Sequence, residues 1–111
     1  MLTLPIKRKW FDMIVSGRKK TEYRDISDYW IKRLASEREK QGITNRFDKG
    51  LKVCIKAGYA KDAPLALLTL RRVDLGKGLP EWGAEPESDY IRLHIEKVEM
   101  LTKGAGTNDT G

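Results

Sequence analysis

The sequence is poor in the residues that build disulfides and metal sites. It contains one cysteine, Cys54, and one histidine, His94, in 111 residues. An internal disulfide needs two cysteines, and structural zinc sites take four ligands, drawn mostly from cysteine and histidine. We therefore expect a chain without an internal disulfide, without a bound metal and without another cofactor.

Long apolar runs are lacking as well. No stretch approaches the roughly 20 apolar residues that a membrane-spanning helix needs. Residues 1–7 do not show the basic and then apolar order of a signal peptide. A glycine-rich phosphate loop of the P-loop or dinucleotide type is also missing. We expect a cytoplasmic protein with no membrane partner and, by default, a monomer.

The chain has the length of one domain, and its charge is distributed unevenly. Residues 1–60 carry 15 Lys and Arg against 7 Asp and Glu, a net charge of +8, whereas residues 61–111 carry 7 against 9, a net charge of −2. A basic half of this kind suits a polyanionic partner such as RNA. We predict a domain over residues 1–101 and a flexible, small and polar tail over residues 102–111.

Apolar periodicity predicts two helices and five strands. The helices cover about residues 7–16 and 28–41, and the strands about residues 2–6, 19–24, 51–59, 65–73 and 90–98. Three successive strands near the end favour an antiparallel or mixed sheet, so the predicted class is α+β. Residues 74–89 hold three glycines and two prolines without periodicity, and are predicted to form a long functional or mobile loop.

The same periodicity predicts which residues face the core. In the second helix the predicted apolar face consists of Trp30, Ile31, Leu34 and Ala35, and Glu37 falls on the solvent face. In the third strand the inward positions alternate from Leu51 to Tyr59. Pro5 cannot donate to a ladder, so the first strand is expected at an edge of the sheet.

The most unusual stretch is the charged segment from Ser16 to Asp25. Gly17 closes the first helix, and a strand of alternating charged residues follows. In an extended chain successive side chains alternate between two faces. One face then carries Lys20, Glu22 and Arg24, and the other carries Lys19, Thr21 and Tyr23. Neither face is plainly apolar, which is typical of an edge strand or of a strand that lines a polar cleft.

With these residues in place, the chain resembles the ASCH domain family over roughly residues 2–101. Three segments carry the resemblance: Leu4–Lys7 with Trp10–Ile14 and Ser16–Lys19, then Glu22–Arg24 with Tyr29–Trp30, and last Tyr90–Ile95. The resemblance implies a PUA-like fold, which is a mixed or antiparallel β-barrel of about five strands with two flanking helices. It also implies a cleft between the barrel and the helices, in which Lys19, Glu22 and Arg24 would bind RNA or a modified nucleotide.

Two branches of the family are similar to enzymes. One resembles an amidohydrolase of acetylated cytidine that uses a lysine, a threonine and a glutamate. Here Glu22 stands at the position of that threonine, Thr21 is one residue out of register, and the segment Ala66–Thr69 offers no glutamate. The amidohydrolase triad is therefore not intact. The other branch resembles a metal-dependent ribonuclease, which the residues neither support nor exclude.

The residue types of the charged segment suit nucleotide binding. The guanidinium of Arg24 can recognise a phosphate or a base edge with two donors, and Lys19 and Lys20 can bind phosphates. Tyr23 and Trp82 can stack on bases. The alternatives are structural: a surface salt bridge between Glu22 and Arg24, solvated lysines, and Trp82 as a lid over one end of the barrel.

Three functional hypotheses follow. The first is a binding module for RNA or a nucleotide. The second is a small hydrolase on the same scaffold, with Glu22 as general base and Lys19 stabilising developing negative charge. The third is a protein-interaction module whose basic surface meets an acidic partner.

Overall fold

A computed structural model describes residues 1–102. The elements are β1 (Thr3–Ile6), α1 (Arg8–Val15), β2 (Thr21–Arg24), α2 (Asp28–Lys40), β3 (Lys52–Ala57), β4 (Leu65–Lys77) and β5 (Asp89–Met100), and a short 3-10 turn (Pro80–Trp82) lies between β4 and β5. This order confirms the predicted α+β class. Of the predicted tail, Thr102 accepts a hydrogen bond from the amide of Leu65 (3.0 Å), and residues 103–111 lie outside the described part.

The five strands form one mixed sheet in the order β1-β3-β4-β5-β2. β1 pairs with β3 in parallel, and the other neighbours are antiparallel. The predicted closed barrel is wrong, because β1 and β2 are the two edges and no ladder joins them within residues 1–102. A side chain connects the edges instead, since Nη2 of Arg24 donates to the carbonyl oxygen of Pro5 (3.0 Å). The edge position predicted for Pro5 is confirmed.

The ends of the helices position the charged segment. After α1, Gly17 adopts a left-handed conformation (φ 84°), and the amides of Arg18 and Lys19 both donate to the carbonyl of Met13 (2.9 Å). This turn delivers Lys19 to the start of β2. The hydroxyl of Ser27 caps α2 by accepting from the amide of Trp30 (3.3 Å). Among the described residues, neither helix has the length and apolar character that crossing a membrane requires.

The core lies between one face of the sheet and the two helices. Its most deeply buried side chains are Leu4, Ile14, Leu51, Val53, Ile55, Leu68, Leu70 and Leu93. Four predicted orientations are wrong. Ile31 and Ala35 are exposed, and Glu37 is buried because its carboxylate accepts from the amide of Leu2 (3.0 Å) and from the side chain of Gln41 (2.7 Å). Tyr59 is 86% exposed, because β3 ends at Ala57 before the chain turns.

The long loop predicted over residues 74–89 is largely a hairpin. β4 continues to Lys77 and β5 begins at Asp89, so residues 78–88 alone connect them. Gly76 has a packing role within the strand, because a Cβ there would lie 2.5 Å from Cζ of Arg92. The glycine therefore indicates a close approach of a neighbouring side chain rather than a loop.

Candidate functional site

Lys19 and Glu22 form an ion pair inside the protein. Their Nζ and Oε1 atoms are 2.9 Å apart, and the two residues are 3% and 5% exposed. Nζ of Lys19 also donates to the carbonyl of Trp82 (2.6 Å). The prediction that Lys19 and Glu22 occupy opposite faces is wrong. Lys19 precedes β2, and the turn that follows α1 brings its side chain to the face of Glu22.

Arg24 completes the group. Its Nη2 lies 3.2 Å from Oε2 of Glu22, on the same face of β2 as predicted, and also donates to Pro5. The guanidinium stacks on the ring of Trp30, with Cζ 4.9 Å from the ring centroid. Nε of Arg24 is buried and has no hydrogen-bond partner among the described residues. We call Lys19, Glu22 and Arg24 the ion cluster.

The charges of the ion cluster do not balance. Glu22 contributes one negative charge, whereas Lys19 and Arg24 contribute two positive ones, and each carboxylate oxygen faces one of the cations. Transfer of ions out of water costs several kcal/mol each by order of magnitude, so an unbalanced buried group needs further compensation. Part of it comes from aromatic rings, because Nζ of Lys19 lies 4.8 Å from the ring centroid of Trp10 and 5.3 Å from that of Tyr23.

Residues 78–88 cover the ion cluster at Lys19, which donates to the Trp82 carbonyl, and we call them the covering loop. The hydroxyl of Tyr23 accepts from the amide of Leu79 (3.0 Å), and burial raises the pKa of this phenol. The hydroxyl of Tyr90 accepts from the amide of Glu85 (2.8 Å). Gly83 packs closely on Trp10, since a Cβ at this position would lie 3.0 Å from ring carbons Cε2 and Cζ2. The covering loop is thus held by several contacts with the cluster's surroundings.

The structure brings four of the predicted site residues together and places two differently. Lys19, Glu22, Tyr23 and Arg24 are neighbours. Trp82 reaches the ion cluster through its backbone carbonyl, which Lys19 contacts. Lys20 is exposed, and its backbone carbonyl accepts from the amide of Ile95 (2.9 Å).

A second polar group, absent from the predicted site, lies around Asp74 on the other side of the sheet. Its Oδ1 accepts from Nε of Arg92 (2.7 Å) and faces Nε2 of His94 (3.0 Å), and its Oδ2 accepts from Nε of Arg72 (2.8 Å). Nδ1 of His94 lies 3.1 Å from the hydroxyl of Thr21. We call Asp74 and these contacts the Asp74 cluster.

The Asp74 cluster keeps its carboxylate ionised. Burial alone would raise the pKa of Asp74, but hydrogen bonds from Arg92, Arg72 and His94 outweigh it and lower the pKa well below its usual range. The same contact raises the pKa of Arg92. Sequence reasoning missed this group because residue 74 was assigned to a loop. The sequence did offer one signal. Arg72 and Asp74 stand two positions apart, as do Arg92 and His94, and residues two apart in a strand share one face.

The site has no assembled metal ligands in the part of the chain that the structure describes. Within residues 1–102, no three His, Cys, Asp or Glu side chains come close enough together to hold a metal ion. The comparisons with known proteins add no assignment: no protein-family model, no curated protein and no solved structure was found to match the chain.

Proposed function

We propose that the chain is a protein of the ASCH type that binds RNA or a modified nucleotide at the ion cluster. The observation that carries this proposal is the excess positive charge of the ion cluster formed by Lys19, Glu22 and Arg24. A nucleotide phosphate, or the carbonyl oxygen of a base, would supply the missing negative charge or acceptor.

The donor that would meet the ligand is Nε of Arg24. Nη2 of the same guanidinium is already engaged by Glu22 and Pro5, whereas buried Nε has no partner among the described residues. Leaving a buried donor unsatisfied costs roughly 1–3 kcal/mol, so a ligand that accepts a hydrogen bond from it gains affinity. Glu22 holds the guanidinium in place, because its Oε2 faces Nη2.

Access of a ligand to Lys19 would require displacement of the covering loop, which contacts this residue. The loop contributes the Trp82 carbonyl to Lys19 and the Leu79 amide to Tyr23. Binding that replaces these two contacts by contacts to a ligand would expose the aromatic rings of Trp10 and Tyr23, on which a base could stack. The proposal therefore includes an opening of residues 78–88 on binding.

The test is a titration of the labelled protein with nucleosides, nucleotides and short single-stranded RNAs, normal and acetylated. Amide shifts concentrated in residues 17–25 and 78–88 are the expected result. Arg24→Lys keeps the charge but removes Nε and the planar fork, and should weaken binding at least tenfold. Arg18→Lys, at an exposed position of the same turn, is the matched control. Absence of shifts with every ligand at low salt would overturn the proposal.

The same ligands also test the hydrolase hypothesis. Both carboxylate oxygens of Glu22 face cations, which leaves neither oxygen free of contacts for the role of general base. We therefore expect no product from acetylated nucleosides or RNA, with or without divalent metal, in chromatography after prolonged incubation. Turnover that is lost in Glu22→Gln while binding persists would replace the binding proposal by the enzymatic one. The proposal places the protein in the cytoplasm, as a monomer.

A further inference from the structure

A groove outside the ion cluster joins the loop before β3 to the middle of β4. It has a volume of about 590 Å³ and is lined by Asn45, Arg46, Phe47, Lys49, Gly50, Arg71 and Arg72. We call it the basic groove. Four of these seven residues are cationic and none is acidic, although the whole chain carries 16 Asp and Glu against 22 Lys and Arg.

Three of the four cations are available to a ligand. Arg46, Lys49 and Arg71 are exposed, and within residues 1–102 none of them forms an ion pair. Arg72 is half-buried and engaged by Asp74 (2.8 Å). The nearest acid of the loop, Asp48, is occupied by Arg38. The groove therefore presents positive charge that the protein itself does not neutralise.

An aromatic ring lies among these cations. Phe47 is 38% exposed, so part of its ring faces solvent. The guanidinium of Arg72 stacks on its ring, with Cζ 3.9 Å from the centroid, and that of Arg46 lies at 5.6 Å. Because Arg46 is exposed, its guanidinium can move aside and leave one side of the ring to a base. Cations beside an accessible aromatic ring are the arrangement that binds single-stranded nucleic acid.

Hydrogen bonds hold the loop that lines the basic groove in place without a ligand. The side chain of Asn45 accepts from the amide of Lys49 (2.7 Å) and donates to its carbonyl (2.9 Å). The carbonyl of Phe47 accepts from the amide of Val73 (2.7 Å), which fastens the loop to β4. Binding to a loop that is already ordered avoids much of the entropy loss that a disordered segment would suffer.

We infer that the basic groove binds the sugar–phosphate backbone of single-stranded RNA, with one base stacked on Phe47. This inference rests on the proposed function, and adds a second contact region for the same RNA. Arg46, Lys49 and Arg71 would each contact a phosphate. Three contacts with a single strand predict a slope of about −2 in a plot of log affinity against log salt concentration.

The experiment is a set of RNA titrations over a range of salt concentrations. A labelled 12-nucleotide single-stranded RNA is titrated with the wild type and with the triple variant Arg46→Glu, Lys49→Glu, Arg71→Glu. The matched control is Lys7→Glu, Lys32→Glu, Lys61→Glu, which changes the net charge equally at exposed positions outside the groove. We expect the groove variant to bind at least tenfold more weakly than the control, with a shallower salt slope. Equal affinity of the two variants would overturn the inference.

A second pair of variants tests the stacking. Phe47→Leu keeps an apolar side chain but removes the ring, and should weaken binding roughly 5- to 150-fold. Tyr59→Leu, at an aromatic position that is 86% exposed, should have no effect. Equal or tighter binding of duplex RNA, whose bases are already stacked and paired, would also contradict the inference. If the groove variants bind RNA normally while nucleosides still shift residues 17–25, the inference falls and the proposed function stands. If nucleosides leave residues 17–25 unchanged, the proposed function falls.

Discussion

Nζ of Lys19 lies 2.9 Å from Oε1 of Glu22, and the two side chains are 2% and 6% exposed. An ion pair this deeply buried differs in its energetics from one on the surface. Replacing both partners by apolar groups can be neutral, whereas removing one leaves an uncompensated charge. The pair therefore makes the protein sensitive to any substitution that changes one partner alone.

Glu22→Gln tests this sensitivity directly. It leaves Lys19 and Arg24 without a counter-charge, and we expect a loss of about 3 kcal/mol in the free energy of unfolding. Urea denaturation followed by tryptophan fluorescence measures the loss. Glu81→Gln, at an exposed position of the covering loop, is the control and should be close to neutral. A loss below about 1 kcal/mol for Glu22→Gln would show that the pair contributes little.

Lys19→Met tests the link between the ion cluster and the covering loop. The substitution removes the 2.6 Å hydrogen bond to the Trp82 carbonyl. A hydrogen bond to a charged group contributes about 1.5–3 kcal/mol, so local opening of the loop should become at least about tenfold more frequent. Hydrogen exchange of the amides of Trp82, Gly83 and Ala84 reports this opening. Lys20→Met, one residue away and exposed, should leave these rates unchanged. Equal rates in the two variants would contradict the link.

Gly83→Ala tests the close packing of the covering loop on Trp10. Gly83 and Gly58 have nearly the same positive φ, 99° and 100°, so alanine at either position costs about 1 kcal/mol in backbone conformation. A Cβ at Gly83 also meets Trp10 at 3.0 Å, whereas one at Gly58 meets no atom within 4 Å. We expect Gly83→Ala to lower the unfolding temperature more than Gly58→Ala. Equal losses of unfolding temperature in the two variants would show that the covering loop accommodates the added methyl group without a measurable cost.

The Asp74 cluster predicts a dependence of stability on pH. Because the folded state lowers the pKa of Asp74, its contribution is present above the unfolded pKa of about 3.9 and is lost as the pH falls towards the folded value. Asp74→Asn should cost about 2 kcal/mol at neutral pH, and progressively less below about pH 4. Denaturation curves of wild type and variant across pH measure this difference. Asp62→Asn, at an exposed turn position, is the control. A difference that does not change between pH 7 and pH 3 would contradict the assignment.

Much of the fold could be predicted from local chemistry. Gly17 ends α1 with a positive φ, and Pro5 lies in an edge strand. Each of these signals acts within a few residues of its position, and each is confirmed.

The signals that failed depend on contacts between distant residues. Gly76 was assigned to a loop because the side chain that lies over it, the guanidinium of Arg92, belongs to a residue distant in the sequence. Glu37 was placed in solvent because its partner, the amide of Leu2, is 35 positions away in the sequence. Lys19 was assigned to the wrong face because strict alternation applies within a strand, and Lys19 precedes β2.

It could be predicted which residues form the ion cluster, but not that they are buried. The resemblance to the ASCH family pointed to Lys19, Glu22 and Arg24, and the structure brings these three side chains together. Lys19 is covered by residues 78–88, whose hydrogen bonds to Tyr23 and Lys19 span 56 and 63 positions of the chain. Charge pattern alone indicates polar residues, and cannot show which later segment will cover them.

The central claim is that the ion cluster accepts a hydrogen-bonding ligand at Arg24. The most direct measurement is the NMR signal of the Arg24 Nε–H group, observed while a nucleotide or a short RNA is added. In the unliganded protein this buried donor has no partner among the described residues, so a new hydrogen bond should move its proton signal downfield, in step with the amides of residues 78–88. An Nε–H signal that stays in place while the RNA binds elsewhere would contradict the claim.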